Sequence, residues 1–538
     1  MARPSLLCLS LLVACSGEIG SADSTPDAPR RPTDPVVTPE GEVLLPTVVR
    51  RLTRDELVYT LEDVLGVRPD AASLAEVPVD RPLEGFVNVA SAQTVSPSHV
   101  LAYAAVAEDV ASRLDDTTLA TLAGCDAPGC GAEAARALAT LLFRRPATDR
   151  ETSVYTSLFD AAIEAGAGPP EATRVVVRAM LQSPSFLYLL EEERDEAARR
   201  RRSGWELASR LSYFLWSSAP DATLRDAAAS GALDTDEGLE VQAERMLADP
   251  RAARSTARFL VDWAGLESIP DDDGLRDVLT EAAVAFYVDH ASSDRPLVAL
   301  LTTERAFLDA TLAAHQGLAV EDEGLQAYDV SDVPGHVGLL TQPGVLAGMT
   351  NADGGAIVAR GLFLQRQLFC GEVPDPPASL QGAIDEFVAG LPENASDRTV
   401  AETRLEREEC AACHASFDPL AYAFERFDFR GAFRTTDEHG NALRTDGWIP
   451  SGLTPDGETR AYEEVEDYVA DLAALPRVRD CLVRRHLEHA LSTRLHGAAA
   501  SQVHAFADAL DEDGGSRAAF VRQLVRSELF RSFATEAE

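Results

Sequence analysis

The sequence predicts a mostly α-helical protein, and two observations support this prediction. Apolar side chains recur at helical spacing in many segments, as in residues 205–215 and 239–247. Sustained alternation of apolar and polar residues is rare, and residues 433–448, where Gly440 and Asn441 favour a turn, are the one candidate for a short β-hairpin. Further helical patterns cover residues 53–65, 132–143, 172–181, 259–263, 462–475, 478–491, 499–510 and 516–529.

The N-terminus predicts export. A basic Arg3 precedes an apolar stretch, residues 6–14, that is too short to span a bilayer. It ends in Leu12-Val13-Ala14-Cys15, which resembles the lipobox of bacterial lipoproteins, where the cysteine receives the lipid. The alternative is an ordinary signal peptide with a chance cysteine. We therefore expect a lipoprotein signal at 1–15 and an exported protein that is lipid-anchored to the cell envelope, on the periplasmic face or the outer membrane.

Composition sets further limits. Residues 16–45 are rich in Ser, Gly, Pro, Asp and Thr and predict a disordered linker. The 538-residue chain, with 46% hydrophobic and 25% charged residues, has ordinary globular usage and is long enough for two to four domains, each with its own core. A net charge of −40 argues against nucleic acid as a partner. Membrane contact is expected only through the lipid.

The cysteines divide into pairs. Cys125 and Cys130 flank an Asp-Ala-Pro-Gly turn that would allow a small disulfide in an oxidising compartment. Cys370 and Cys481 remain after the other cysteines are assigned, and they are candidates for a second bridge. Two free buried thiols are the alternative, because connectivity is not readable from spacing.

The run Cys410-Ala-Ala-Cys413-His414 carries the chemistry. Two cysteines three apart, directly before a histidine, suit one covalent c-type haem: the thiols attach the macrocycle and the imidazole binds the iron. Half of a zinc site, a thioredoxin-like redox pair and a plain disulfide are the rival interpretations. The first lacks a second ligand pair nearby and the second lacks a βαβ pattern. The histidine and the export signal favour haem c.

Six aromatic residues follow the motif within 17 positions, against 6% for the whole chain, and predict an apolar wall for a macrocycle or an aromatic core. These residues are Phe417, Tyr422, Phe424, Phe427, Phe429 and Phe433.

The sequence does not determine which residue is the sixth iron ligand. Met349 lies in a segment, residues 344–350, that reads as a loop, and it is the favoured axial ligand, whereas Met180 and Met246 fit helix cores. A five-coordinate iron is a further alternative. His/Met ligation suits electron transfer, and an open face suits gas or peroxide chemistry. The competing histidines are His336, His439, His486 and His489.

The haem segment, with Phe417-Asp418-Pro419-Leu420 after the motif, resembles that of one family. This is the planctomycete and myxobacterial family of multidomain cytochrome-c proteins, built from domains of unknown function. Further similar runs are residues 51–57, 84–86, 144–146, 181–188, 208–216, 339–343, 360–361 and 524–530. The chain departs from the family pattern in having a single CxxCH and in the run 351–357.

The resemblance implies haem attachment, export and five helical modules. The modules are expected at 46–118, 119–195, 203–320, 330–436, which contains the haem motif, and 437–538. No reaction follows from it. One-electron transfer with a periplasmic or surface redox partner is the favoured function. A haem-dependent oxidase or peroxidase-like enzyme acting on a small molecule, and a surface scaffold with structural haem, are the alternatives.

Overall fold

The structure is a computed structural model that describes residues 35–37, 43–47, 49–83, 85–191, 199–271, 274–319, 324–350, 356–392 and 394–534. The predicted signal segment with Cys15, and most of the predicted linker, lie outside the described residues. Residues 43–45 are an exception, because their three consecutive apolar side chains are buried. The Ala534 amide donates to the Leu45 carbonyl at 2.8 Å. The prediction of a disordered linker is therefore wrong for these residues, whose burial offsets the entropy of ordering them.

The N-terminal part is a bundle of eight helices around one core. Thr53 caps the first helix in a capping box with Glu56, and Gly66 ends it at a φ of 69°. The core takes side chains from both sides of residue 119, so the predicted modules 46–118 and 119–195 share it. The helices are α1 (Arg54–Leu65), α2 (Ala71–Ala75), α3 (Pro97–Arg113), α4 (Asp116–Ala123), α5 (Gly131–Leu142), α6 (Asp149–Glu164), α7 (Pro169–Met180) and α8 (Pro184–Leu187).

The middle of the chain adds six helices. Among them, α9 has Ser203 as its N-cap, in a further capping box with Glu206, and its apolar face is buried. The helices are α9 (Gly204–Trp216), α10 (Ala222–Ala229), α11 (Asp236–Leu247), α12 (Ala252–Trp263), α13 (Leu275–Ala291) and α14 (Ala310–His315).

The C-terminal part contains the haem motif and the closing helices. A π-helical turn, Leu364–Leu368, continues α16. The helices are α15 (Pro343–Gly348), α16 (Ala356–Phe363), α17 (Gln381–Ala389), α18 (Asp397–Leu405), α19 (Glu408–His414), α20 (Asp418–Ala421), α21 (Val465–Ala474), α22 (Pro476–Leu491), α23 (Ala498–Glu512), α24 (Arg517–Arg526) and α25 (Glu528–Arg531).

Strands are short and pair in twos, which confirms the mostly α prediction. Every two-stranded sheet in the described chain is antiparallel: β1 with β2, β3 with β4, β5 with β10, β6 with β7 and β8 with β9. The strands are β1 (Val36–Val37), β2 (Val43–Leu44), β3 (Arg50–Arg51), β4 (Tyr188–Leu189), β5 (Arg199–Arg201), β6 (Arg305–Leu308), β7 (Gln326–Asp329), β8 (Gly447–Ile449), β9 (Arg460–Tyr462) and β10 (Ser532–Ala534).

Two further cores cross the expected module boundaries. One joins α9 and α11 to α22, α23 and α24. The other joins α12 and α13 to α15, the segment after the haem motif and α21. The cores therefore do not follow the expected module boundaries. Among the described helices, none combines the length and apolar character needed to cross a bilayer.

Two local predictions need correction. The predicted loop around Met349 is helix α15, which has Pro343 at its first turn and Met349 at its C-cap. The predicted hairpin within 433–448 is a turn with a single bridge between Thr436 and Ala442, and regular pairing occurs later, between β8 and β9. Gly440 supplies the positive φ of 83° in that turn, as its sequence indicated.

Candidate functional site

The CAACH run forms the last turn of α19. Cys410 and Cys413 are both half-buried and unbonded, whereas the other four described cysteines form disulfides. Residues three apart on a helix are neighbours on one face, about 5–6 Å apart at Cβ. The two thiols are therefore presented together in the last turn of the helix, which ends at His414. The bonded pairs are Cys125–Cys130 and Cys370–Cys481, which the sequence indicated as candidate bridges, the second with free thiols as its alternative.

His414 is held by a buried carboxylate. Its Nδ1 lies 3.1 Å from Oδ1 of Asp418, whose side chain is fully buried. Arg404 donates to the other carboxylate oxygen, from Nε at 3.0 Å and from Nη2 at 2.6 Å. A carboxylate accepts a hydrogen bond, so the neutral imidazole carries its proton on Nδ1 and keeps a lone pair on Nε2. This tautomer is the one that binds a metal through Nε2.

Close backbone packing fixes α20 beside the motif. A Cβ on Gly361 of α16 would lie 2.4 Å from the Phe417 carbonyl oxygen, so only glycine allows this approach. The buried guanidinium of Arg360 donates to the carbonyl oxygens of Phe424 and Phe427, each at 2.8 Å, and to that of Asp428. The Arg360-Gly361 pair therefore positions the segment that supplies Asp418.

The aromatic run mostly builds the core of this module. Phe424 packs on Tyr468 at 5.9 Å between ring centroids, and Phe427 packs on Phe433 at 5.5 Å. Only the Phe417 ring contacts the His414 ring, at 4.8 Å. The core interpretation is therefore the better one for most of the run, because its members lie on the buried sides of α20 and the turns after it.

Apolar side chains of α17 provide exposed surface near the motif. Arg407, the residue before α19, lies over the ring of Phe387 at 5.3 Å. On the same helix face, Ile384 and Val388 are 36% and 60% exposed. Together with the Phe387 ring they form a small apolar surface beside α19 that a macrocycle could cover.

The candidate sixth ligands fall into two groups. Met349 is buried in the apolar core at the end of α15, and its role as a ligand stays a prediction. The ring nitrogens of His336 are engaged by the Pro334 carbonyl and by Gln316, and those of His486 by the Leu482 carbonyl and Tyr287. Those two histidines are structural. His439 lies at the exposed turn beside Glu438 and His489 lines a cavity away from the motif.

Four family models match the chain in order. Residues 50–115 match PSD3, a protein of unknown function (DUF1587), and 130–191 match PSD5, a protein of unknown function (DUF1595). Residues 203–318 match PSD4, a protein of unknown function (DUF1592), and 336–437 match PSCyt3, a protein of unknown function (DUF1588). The chain belongs to the planctomycete family of cytochrome-c-associated multidomain proteins. No curated protein and no solved structure matches it.

Within this family assignment, the match named as a cytochrome-like module is the one that contains Cys410, Cys413 and His414. The residues present fit a covalent haem on this structure's own evidence: two unbonded thiols on one helical face, an imidazole with a free Nε2, and exposed apolar side chains on α17. Among the described residues, no cluster of three or more His, Cys, Asp or Glu suits a bare metal ion. A zinc site and, given the antiparallel sheets, a thioredoxin-like pair receive no support.

Sequence reasoning missed a second feature of this family member. A cavity of about 930 Å³ lies between α1, α9, α12, the first turn of α13 and the end of α22, and it is lined by residues from Arg50 to Thr280 and from His489 to Ser492. No single segment of the sequence predicts this cavity, because the residues that line it are far apart in the chain.

Proposed function

We propose that the protein is an exported lipoprotein that carries one covalent haem c and transfers single electrons to or from a redox partner. Cys410 and Cys413 would hold the macrocycle, and His414 would bind the iron through Nε2. The observation that carries the proposal is the arrangement of two unbonded thiols and a histidine whose Nδ1 is already held by Asp418. The bound haem would supply a reversible one-electron couple.

Asp418 is a positioning residue in this proposal. Its carboxylate orients the imidazole through Nδ1 and, with haem bound, would raise the basicity of Nε2 and so lower the reduction potential. Arg404 shares the same carboxylate and limits this effect, because part of the negative charge is neutralised by the guanidinium. The pair therefore sets both the geometry and the electrostatics on the histidine side of the iron.

The first experiment tests attachment. The full chain is produced with its signal in a host that attaches haem to exported proteins, and denatured protein is then assayed for haem by alkaline pyridine absorption. The Cys410→Ala/Cys413→Ala variant is expected to lose all covalent haem. The matched control, Cys125→Ala/Cys130→Ala, removes two cysteines elsewhere and retains it. Covalent haem on the first variant would contradict the proposal.

The second experiment separates a carrier from an enzyme. Met349 favours a six-coordinate carrier, for which the reduced spectrum is unchanged by carbon monoxide and Met349→Ala loses the sulfur-to-iron band. Met246→Ala, a buried methionine in another core, is the control. Rapid carbon monoxide binding by the unaltered protein would instead favour an open-faced oxidase or peroxidase-like enzyme. Absence of reversible redox cycling would favour a structural haem.

Lipid anchoring is part of the same proposal. Cys15 is expected to incorporate a labelled fatty acid in a lipoprotein-exporting host, and Cys15→Ser abolishes the label and releases the protein from the membrane fraction. Retention of the label by this variant would contradict the lipobox assignment.

A further inference from the structure

The cavity defined above is large enough for a substantial organic molecule. Small-molecule sites typically occupy roughly 300–1,000 Å³, and this one measures about 930 Å³. Its described walls come from the regions matched by PSD3, PSD5 and PSD4 together with the end of α22, and not from the region matched by PSCyt3. A ligand here would therefore be bound apart from the haem motif.

The charge of the cavity lining differs from that of the chain. The whole sequence has 48 basic and 88 acidic residues. The cavity lining has eight arginines and seven carboxylates. The lining is therefore close to neutral although the protein as a whole is strongly acidic, so a single unbalanced guanidinium in it would favour an anion.

The positive surplus has a specific source, at Glu191. Arg202 donates to both Glu191 carboxylate oxygens, from Nε at 2.5 Å and from Nη2 at 3.0 Å. Arg210 also donates to it, from Nη1 at 3.1 Å. One carboxylate thus faces two guanidinium groups, and Arg202 alone satisfies it. Arg210 is the cavity-lining member of the pair, and its buried Nε has no hydrogen-bond partner in the described structure.

Electrostatics at Arg210 point the same way. Burial, followed by repulsion from Arg202, lowers the pKa of the Arg210 guanidinium to about 9. The attraction of Glu191 does not offset these two effects. An additional negative charge next to Arg210 would be favourable, because it would compensate the surplus.

Aromatic side chains and one histidine form another part of the lining. Tyr59, Trp205 and Phe214 line the cavity. Burial lowers the pKa of His489, which also lines the cavity, to about 3, so its imidazole is neutral. An apolar body with few polar groups would fit such walls.

We propose that this cavity binds a small organic acid with an aromatic or similarly apolar body, whose carboxylate pairs with Arg210. The apolar body lies against the aromatic side chains, and the neutral His489 offers a further polar contact. Carboxylate–guanidinium pairing gives charge-assisted hydrogen bonds that discriminate strongly against a neutral ligand of the same shape.

The test is calorimetric titration of the full chain with three probes: 2-naphthoate, its neutral counterpart 2-naphthylmethanol, and inorganic phosphate. We expect 2-naphthoate to bind at least tenfold more tightly than 2-naphthylmethanol, and phosphate to bind more weakly than 2-naphthoate because it lacks the apolar body. Equal affinities for the acid and the alcohol, or no saturable binding of the acid, would overturn the proposal. Tighter binding of phosphate than of the acid would also overturn it.

Two variants locate the site. Arg210→Gln is expected to weaken 2-naphthoate binding at least tenfold while leaving 2-naphthylmethanol binding unchanged, because Glu191 keeps Arg202. The matched control is Arg245→Gln, since Arg245 is a partly buried arginine that pairs with Asp221, and neither residue lines the cavity. Equal losses in both variants would contradict the assignment.

A second, steric variant tests the site independently, in case Arg210→Gln misfolds. Ser209→Phe, on the cavity wall, is expected to abolish binding of both naphthalene probes while the far-ultraviolet circular dichroism stays unchanged. Unchanged probe binding in this folded variant would exclude the cavity as the site. Haem content is unaffected in every variant, so this proposal and the proposed electron-transfer function fail independently.

Discussion

Asp418 and Glu191 are two largely buried carboxylates, and each contacts two nitrogen-bearing side chains. The two sites nevertheless favour different ligands. Asp418 is shared by Arg404 and Nδ1 of His414, so the histidine can present Nε2 to a metal. Glu191 is shared by two arginines, so a positive charge is left over. The second partner of the carboxylate therefore decides the outcome. A histidine is oriented as a metal ligand, whereas an arginine leaves a positive charge that favours an anion.

The Cys370–Cys481 disulfide connects the two regions and is expected to have the largest effect on stability. It closes a loop with a sequence separation of 111, between the haem module and α22, whose end lines the cavity. Cys370→Ala/Cys481→Ala should lower the free energy of unfolding by about 4 kcal/mol, measured by urea denaturation. Removing Cys125–Cys130, which closes a loop with a separation of 5, should cost less. A larger loss from the short loop would contradict this account.

Removing the carboxylate of Asp418 breaks the first arrangement directly. Asp418→Asn leaves Arg404 without its buried counter-charge and should lower the free energy of unfolding by about 3 kcal/mol. In the haem-loaded protein the reduction potential should rise, because the axial imidazole becomes less basic. Asp446→Asn, at an exposed ion pair, is the control and should cost less than about 1 kcal/mol. A stability loss without a change in potential would mean that Asp418 is structural only.

The two arginines on Glu191 should not be equivalent. Arg202 has a 1% exposed side chain and also donates to the carbonyl oxygens of Phe530 and Ser532. Arg202→Gln should therefore lower the free energy of unfolding by about 2 kcal/mol, and Arg210→Gln should change it far less. Equal losses in urea denaturation would show that Arg210 is required for the fold and is not a surplus charge.

Glu425 is a third buried carboxylate. It accepts a hydrogen bond from the Arg444 backbone amide at 3.3 Å. Burial raises its pKa to about 7 from 4.5. A carboxyl whose folded pKa is raised loses stability as pH rises from the unfolded to the folded pKa. The change in the free energy of unfolding caused by Glu425→Gln should thus be about 1 kcal/mol more stabilising at pH 8 than at pH 4. The measurement is urea denaturation at both pH values, and a gain at pH 4 would have the wrong sign.

The haem motif was predictable because its residues are contiguous, and the helical class because apolar spacing is repeated along the chain. His414 and Asp418 are four apart, so their hydrogen bond had a sequence signal that was overlooked. The cavity had none, since Arg210 and His489 meet only through tertiary packing. Met349 was misjudged because small residues in 344–348 read as a loop, whereas Pro343 starts a helix there.

The most direct test of the central claim is mass spectrometry of the exported, denatured protein after proteolysis. If haem is attached covalently, we expect the peptide containing Cys410 and Cys413 to carry the mass of one haem and to have no free thiol. Unmodified thiols at both positions, or haem recovered only in the unbound fraction, would contradict it.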